Sequence, residues 1–150
     1  MKRIKSFEVD HNKLVPGLYL SRRDGDVDTY DLRFKKPNSN DYLDCAATHT
    51  IEHLFATYAR NSEFAENIIY VGPMGCRTGF YLLVRDLSAE KVIKLVQKSM
   101  EFCADFAGEI PGVSSIECGN FLEHNLELAK KYAKEYLQTV SKYCPGNINY

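Results

Sequence analysis

Residues 44–60 read DCAATHTIEHLFATYAR, and the spacing of that stretch sets the reading of the rest. A helix advances about 100° per residue, so His49 and His53 lie on one face, a turn apart. Two imidazoles at that spacing can hold one metal ion. Glu52 flanks them and can reach a ligand on that ion. Ile51, Leu54, Phe55 and Tyr58 fall on the opposite face as an apolar stripe. Arg60, two turns beyond His53, returns to the histidine side. Asp44 is the expected N-cap of a helix ending near Arg60. Cys45 falls in its first turn and is expected as a small packed residue. Histidines in helices are mostly surface or core residues. Here the pair stands opposite the apolar stripe and brackets a glutamate, which favours a metal. The H-x-x-E-H order names no reaction by itself, and it also marks the inverted-zincin peptidases.

On the N-terminal side, Ser6 to Asp10 alternates polar and apolar and predicts a short strand leading to His11. Leu18 to Leu20 starts another strand, and Arg22 to Asp28 reads as a charged loop around Gly25. Residues 29–34 place Tyr30, Leu32 and Phe34 on one face, with Thr29, Asp31 and Arg33 on the other. Spacing alone favours a solvated face, with Asp31 and Arg33 as an exposed ion pair.

On the C-terminal side, Asn67 to Val71 and Phe80 to Arg85 read as strands. Between them, residues 72–79 (GPMGCRTG) carry three glycines that allow a tight or left-handed loop. Cys76 sits at its centre beside Arg77, and a neighbouring cation favours a thiolate. A structural thiol in a tight turn is an equal reading. Ser88 starts a helix whose apolar period, including Cys103, runs to about Ala107. A last helix starts near His124 and buries Leu126, Ala129, Ala133, Leu137 and Val140. His124 itself is expected as a structural residue or a solvated cap. The segment from Pro145 to Tyr150 is expected to be disordered.

Composition narrows the class. The 150 residues are 45% hydrophobic and 26% charged, with a net charge of -1. That is the profile of one ordinary globular domain, 1–150, and it points away from nucleic acid and anionic membranes. No apolar run reaches membrane-spanning length. The basic start lacks a signal-peptide core. Five cysteines, an odd number without paired spacing, favour reduced thiols in the cytoplasm.

Two histidines need a further protein ligand. Cys118 is a strong candidate, because it follows a short extended segment, 115–118, and Gly119 lets the backbone turn. Two imidazoles and a thiolate leave one position open, which means catalysis rather than a structural metal. Such a set suits Zn²⁺ or Fe²⁺, and spacing does not choose between them.

The whole pattern resembles the S-ribosylhomocysteine lyases of the LuxS type, over about residues 6–129. The likeness rests on SFEVDH at 6–11, DLRF with Pro37-Asn38 at 31–38, HTIEHLFA at 49–56 and PMGCRTGFY at 73–81. ECG at 117–119, followed by His124 and Leu126, is similar to the family's third-ligand segment. The resemblance implies His49, His53 and Cys118 as metal ligands, and Glu52 and Cys76 as acid–base residues. It places Ser6, His11, Arg33 and Arg60 around the substrate, S-ribosylhomocysteine, with Asp31 beside Arg33. It implies one divalent metal per subunit, Fe²⁺ foremost, with Zn²⁺ or Co²⁺ able to substitute. The implied fold is α+β, an antiparallel sheet with helices on one face. The sheets of two subunits pack in a homodimer whose active sites lie at the interface. The chain departs from the family pattern at Tyr70-Val71-Gly72, where Asp-Ile-Ser is usual, and at Lys35, where cysteine is frequent. A metallopeptidase, or a non-catalytic metal-binding homologue, is the alternative.

Overall fold

The structure is a computed structural model that describes residue 4 and residues 7–150. Among these residues the regular structure is four strands and three helices, an α+β fold. β1 (Gly17–Asp24) and β2 (Val27–Arg33) form an antiparallel hairpin. α1 (Cys45–Arg60) crosses to β3 (Ile68–Pro73), and β4 (Gly79–Arg85) inserts between β3 and β2. α2 (Ala89–Asp105) and α3 (Leu126–Val140) close the chain against α1. The sheet order is β1-β2-β4-β3, with every neighbouring pair antiparallel.

The core lies between one face of the sheet and the helices. Leu18, Tyr30, Leu32, Phe80, Leu82 and Val84 meet Ile51, Leu54 and Phe55 of α1 there, all essentially inaccessible. Each such side chain contributes about 1.5–3 kcal/mol by leaving water. α1 therefore presses its apolar stripe inward and leaves its histidine face free, as its spacing predicts. Asp44 caps it by accepting the Ala47 amide at 3.0 Å. Tyr136 of α3 is buried beneath Phe34, and its hydroxyl donates to the Gly17 carbonyl at 2.8 Å.

Several expectations are corrected. Residues 7–10 form a turn and not a strand. The segment bonds to itself, with the Lys13 and Leu14 amides donating to the Asp10 carbonyl. The charged loop at 22–28 contracts to a tight turn at Gly25, whose φ is +64°, because both flanks join the hairpin. Residues 115–117 are a turn, with the Cys118 amide donating to Ser114. The segment 145–150 is ordered against β1. The Leu20 amide donates to the Ile148 carbonyl, Ile148 is buried, and Tyr150 stacks on Tyr19 at 4.9 Å.

The largest correction concerns the second face of the sheet. The alternation along β2 is as predicted, but Asp31 and Arg33 are only 1% and 2% exposed. His11 and Tyr150, with Tyr81 of the neighbouring strand, line a small polar cavity around them. Alternation tells which side a residue faces, and says nothing of what covers that side.

Candidate metal centre

His49 and His53 project from the free face of α1, with ring centroids 4.7 Å apart and planes at 87°. The loop between α2 and α3 brings Cys118 to them, its Sγ 3.3 Å from His49 Nε2. His124, at the end of the same loop, joins the cluster, so that four potential ligand atoms lie within 4.8 Å of one another. The structure thus brings His49, His53 and Cys118 together and adds a residue that was expected to be structural.

The protonation pattern follows from the partners. His49 Nδ1 lies 2.9 Å from the Glu123 carbonyl, and His53 Nδ1 lies 2.7 Å from the Pro111 carbonyl. A carbonyl only accepts, so both Nδ1 atoms carry the hydrogen, and each Nε2 keeps its lone pair for a metal. These carbonyls fix the ring orientations as outer partners of metal-bound histidines do. The Asn120 amide points at Cys118 Sγ at 3.4 Å. Two imidazole nitrogens and a sulfur so disposed suit a transition ion.

His124 follows the same pattern. Its Nδ1 meets Thr50 Oγ1 at 3.2 Å, and that hydroxyl donates to the Ala46 carbonyl at 2.9 Å and accepts the Asn125 amide at 3.0 Å. The hydroxyl's single hydrogen is used on Ala46, so His124 Nδ1 is the donor. Its Nε2 is buried and has no hydrogen-bond partner among the described residues. Burial, then the neighbouring His49 and His53, hold the imidazole below its ordinary pKa. The sequence signal for His124 was its place six residues after Cys118, at a helix start, which is also the signal of a cap. Asn125 takes the cap, accepting the Leu128 amide at 3.0 Å.

Glu52 stands half-buried beside His49 in an open groove that Met74, Gly75, Arg77 and Asn120 also line. Cys45, expected to be packed, is exposed and lines the same groove. Arg77 turns to Cys45, 3.9 Å away, and to the Tyr42 ring. The cation beside Cys76 is instead Arg33, 3.9 Å from its sulfur, and Thr78 Oγ1 lies 3.1 Å from that sulfur. In the 72–79 loop the left-handed residue is Arg77, with φ of 56°, rather than a glycine. Gly79 has a different reason: a side chain there would strike the Leu32 carbonyl oxygen on the paired strand. Gly72 makes room for the Tyr70 ring, so two of the departures from the family pattern fit each other.

Arg33 makes the centre of the second polar group. Its guanidinium donates to Asp31 Oδ2 and to Thr78 Oγ1, each at 2.5 Å, and Tyr150 donates to the same carboxylate oxygen at 3.0 Å. Burial pushes the Asp31 carboxyl above its ordinary range in spite of Arg33. Burial also opposes the charge of Arg33, but Asp31 outweighs it and the guanidinium stays charged. Asp31 Oδ1 and Arg33 Nε have no hydrogen-bond partner among the described residues. His11 lines this cavity, with Nδ1 on the Val9 carbonyl at 2.9 Å. Arg60 is exposed and donates to the Ile68 and Ile69 carbonyls, beyond the histidines along α1. Ser6 lies outside the described residues.

The comparisons with known proteins all point to one family. The family model described as S-Ribosylhomocysteinase (LuxS) matches residues 4–145. The S-ribosylhomocysteine lyase of Finegoldia magna is 44% identical, over 100% of this chain and 99% of its own length. That of Phocaeicola vulgatus is 47% identical, over 95% of this chain and 92% of its own length. That of Clostridium acetobutylicum is 42% identical, over 100% of this chain and 99% of its own length. With the family matched from end to end of the fold and the imidazole–sulfur cluster in place, this chain belongs to the S-ribosylhomocysteinase (LuxS) family.

Proposed function

We propose that this protein is an S-ribosylhomocysteine lyase, which releases homocysteine and leaves a dihydroxypentanedione, the precursor of a quorum signal. The observation that supports it most is the cluster of His49, His53 and Cys118 beside Glu52, on a chain of this family. His49, His53 and Cys118 would hold one divalent ion per subunit, Fe²⁺ foremost, with Zn²⁺ or Co²⁺ as substitutes. When bound, the ion supplies Lewis-acid stabilisation to a sugar carbonyl and its developing negative charge.

The residues of the chain carry the protons. The thioether bond is not labile until a carbonyl stands two carbons from the sulfur-bearing carbon. The opened sugar must therefore move its carbonyl from the first carbon to the second and then to the third. Each move takes a proton from carbon and returns one at the neighbouring position. Cys76 and Glu52 are the carriers in this reading, each such transfer contributing roughly 10²–10⁴-fold. With the carbonyl at the third carbon, the proton on the fourth becomes acidic, and its removal expels homocysteine by β-elimination. Asp31 Oδ1 and Arg33 Nε, without a partner among the described residues, are suited to the ammonium and carboxylate of the amino-acid end. Ser6, His11 and Arg60 complete the substrate contacts.

Cys76 turns towards Thr78 and Arg33, while its neighbours Gly75 and Arg77 line the groove beside His49. The metal cluster and the Asp31–Arg33 cavity are thus separate sites on one chain. A homodimer, with sheets packed together and active sites at the interface, joins them. No helix among the described residues is long and apolar enough to cross a membrane, and an odd number of cysteines without paired spacing fits the cytoplasm. The peptidase reading requires a carboxylate third ligand, and a sulfur stands there.

The test is homocysteine release from S-ribosylhomocysteine by anaerobically purified protein, read with a thiol reagent, with metal content measured alongside. Release that tracks bound metal is the expected result. Metal-loaded protein that releases no thiol overturns the proposal.

A further inference from the structure

We propose that His124 is a positioning residue of the metal centre, which backs the His49 ring and fastens the loop that carries Cys118. The inference rests on the reading of His49, His53 and Cys118 as the ligand set. Ring geometry carries it. A metal bound to an imidazole nitrogen lies close to the ring plane, about 2 Å from the nitrogen. The planes of His49 and His53 are at 87°, and those of His53 and His124 at 72°. Either pair can share an ion. The rings of His49 and His124 are instead stacked, 4.1 Å apart and tilted by only 23°. Planes so nearly parallel meet far beyond the reach of a metal–nitrogen bond. One of the two rings binds, and His49 is the one whose Nε2 faces Cys118 Sγ at 3.3 Å.

The second ring is held for a purpose that its contacts define. Residues 123–125 grip α1 at three points. The Glu123 carbonyl takes the His49 Nδ1 hydrogen, His124 Nδ1 donates to Thr50, and the Asn125 amide donates to the same hydroxyl. His124 thereby lies as a flat backing behind His49, fixes its rotation, and fastens the loop that carries Cys118. A non-ligand His124 also leaves the fourth position open, as catalysis requires.

The experiment titrates metal-stripped protein with Co²⁺ against a chromophoric chelator and records the visible spectrum. His124→Ala is expected to weaken Co²⁺ binding about 10–100-fold, the range for outer partners of ligands. His124→Asn places an amide nitrogen where Nδ1 stood and is expected to recover most of that loss with an unchanged spectrum. Thr50→Val, which removes the partner hydroxyl, is expected to weaken binding similarly. It also keeps the proposal testable should His124→Ala fail to fold. Wild-type affinity in both His124→Ala and Thr50→Val overturns the proposal. So does an Asn variant as weak as the Ala variant whose spectrum has lost a nitrogen donor, since His124 would then be a ligand. Cys118→Ala separates the two levels. Its loss of the sulfur-to-cobalt absorption supports the ligand reading, and full retention of metal and spectrum overturns that reading first.

Discussion

The metal cluster and the Asp31–Arg33 cavity are both built from polar side chains, yet they differ in how the chain makes them. The first stands on the free face of a helix whose other face is core, with Ile51, Leu54 and Phe55 inaccessible. The second stands on a strand and is buried on both faces, with Arg33 2% exposed. A helical site can remain open to solvent and ligand while its helix is fully packed. A sheet site becomes a closed polar chamber once any segment lies over it. Chemistry that needs an exchangeable position suits the helix, and chemistry that needs a desolvated charge suits the sheet.

The first way to break this comparison is at Cys76, which contacts the sheet group through Arg33 and Thr78. Cys76→Ser should keep metal stoichiometry and lose thiol release by roughly 10²–10⁴-fold, the range for a positioned acid–base group. Metal analysis and a thiol-release assay on one preparation check both. An active variant would leave the sheet group without a part in proton transfer. Next comes Asp31→Ala. It strands a buried guanidinium that cannot give up its proton, at a cost of about 3–5 kcal/mol in unfolding free energy. Urea denaturation measures it. A loss below about 1 kcal/mol would mean that Arg33 reaches water and that the chamber is not closed. On the helix side the expected effect is smaller. Asp44→Ala removes the cap on the Ala47 amide and should cost about 1 kcal/mol, while metal affinity holds because His49 lies beyond the first turn.

The same contrast explains what could be read in advance. The bounds of α1, its cap and its inward stripe follow from a period and a short side chain, both local. The strands at 68–73 and 79–85 and the core thiol of Cys103 follow likewise, and burial pushes that thiol up to about 12. Cys118 was legible from its glycine neighbour, but its turn geometry was not. Its loop makes few periodic contacts and takes its shape from bonds such as Glu123 to His49. The contacts of His124 and the order of the 145–150 segment were not legible for a related reason. Each is placed by a distant partner, Thr50 in one case and Asp31 with Leu20 in the other. Arg33 and Asp31 were given the right face and the wrong environment, because residues as distant in sequence as 11 and 150 line the cavity around them.

The chamber makes one more claim, about pH. Burial holds the Asp31 carboxyl above its ordinary value of 3.8 in the folded protein. A carboxyl raised on folding favours the folded state most below its unfolded pKa, and that advantage is lost as pH rises through the folded value. Asp31→Asn carries no such titration. Relative to the wild type, the Asn variant should therefore gain stability as pH rises from about 4 towards neutrality, by no more than one proton's worth of slope. Urea midpoints of both proteins across that range give the sign directly. A gap that moves the other way would mean that Arg33 governs the pair and that the carboxylate is better solvated by its guanidinium and Tyr150 than by water. The helical site would then no longer be the more hydrated of the two, and the division of labour between helix and sheet would have to be drawn from the substrate side instead.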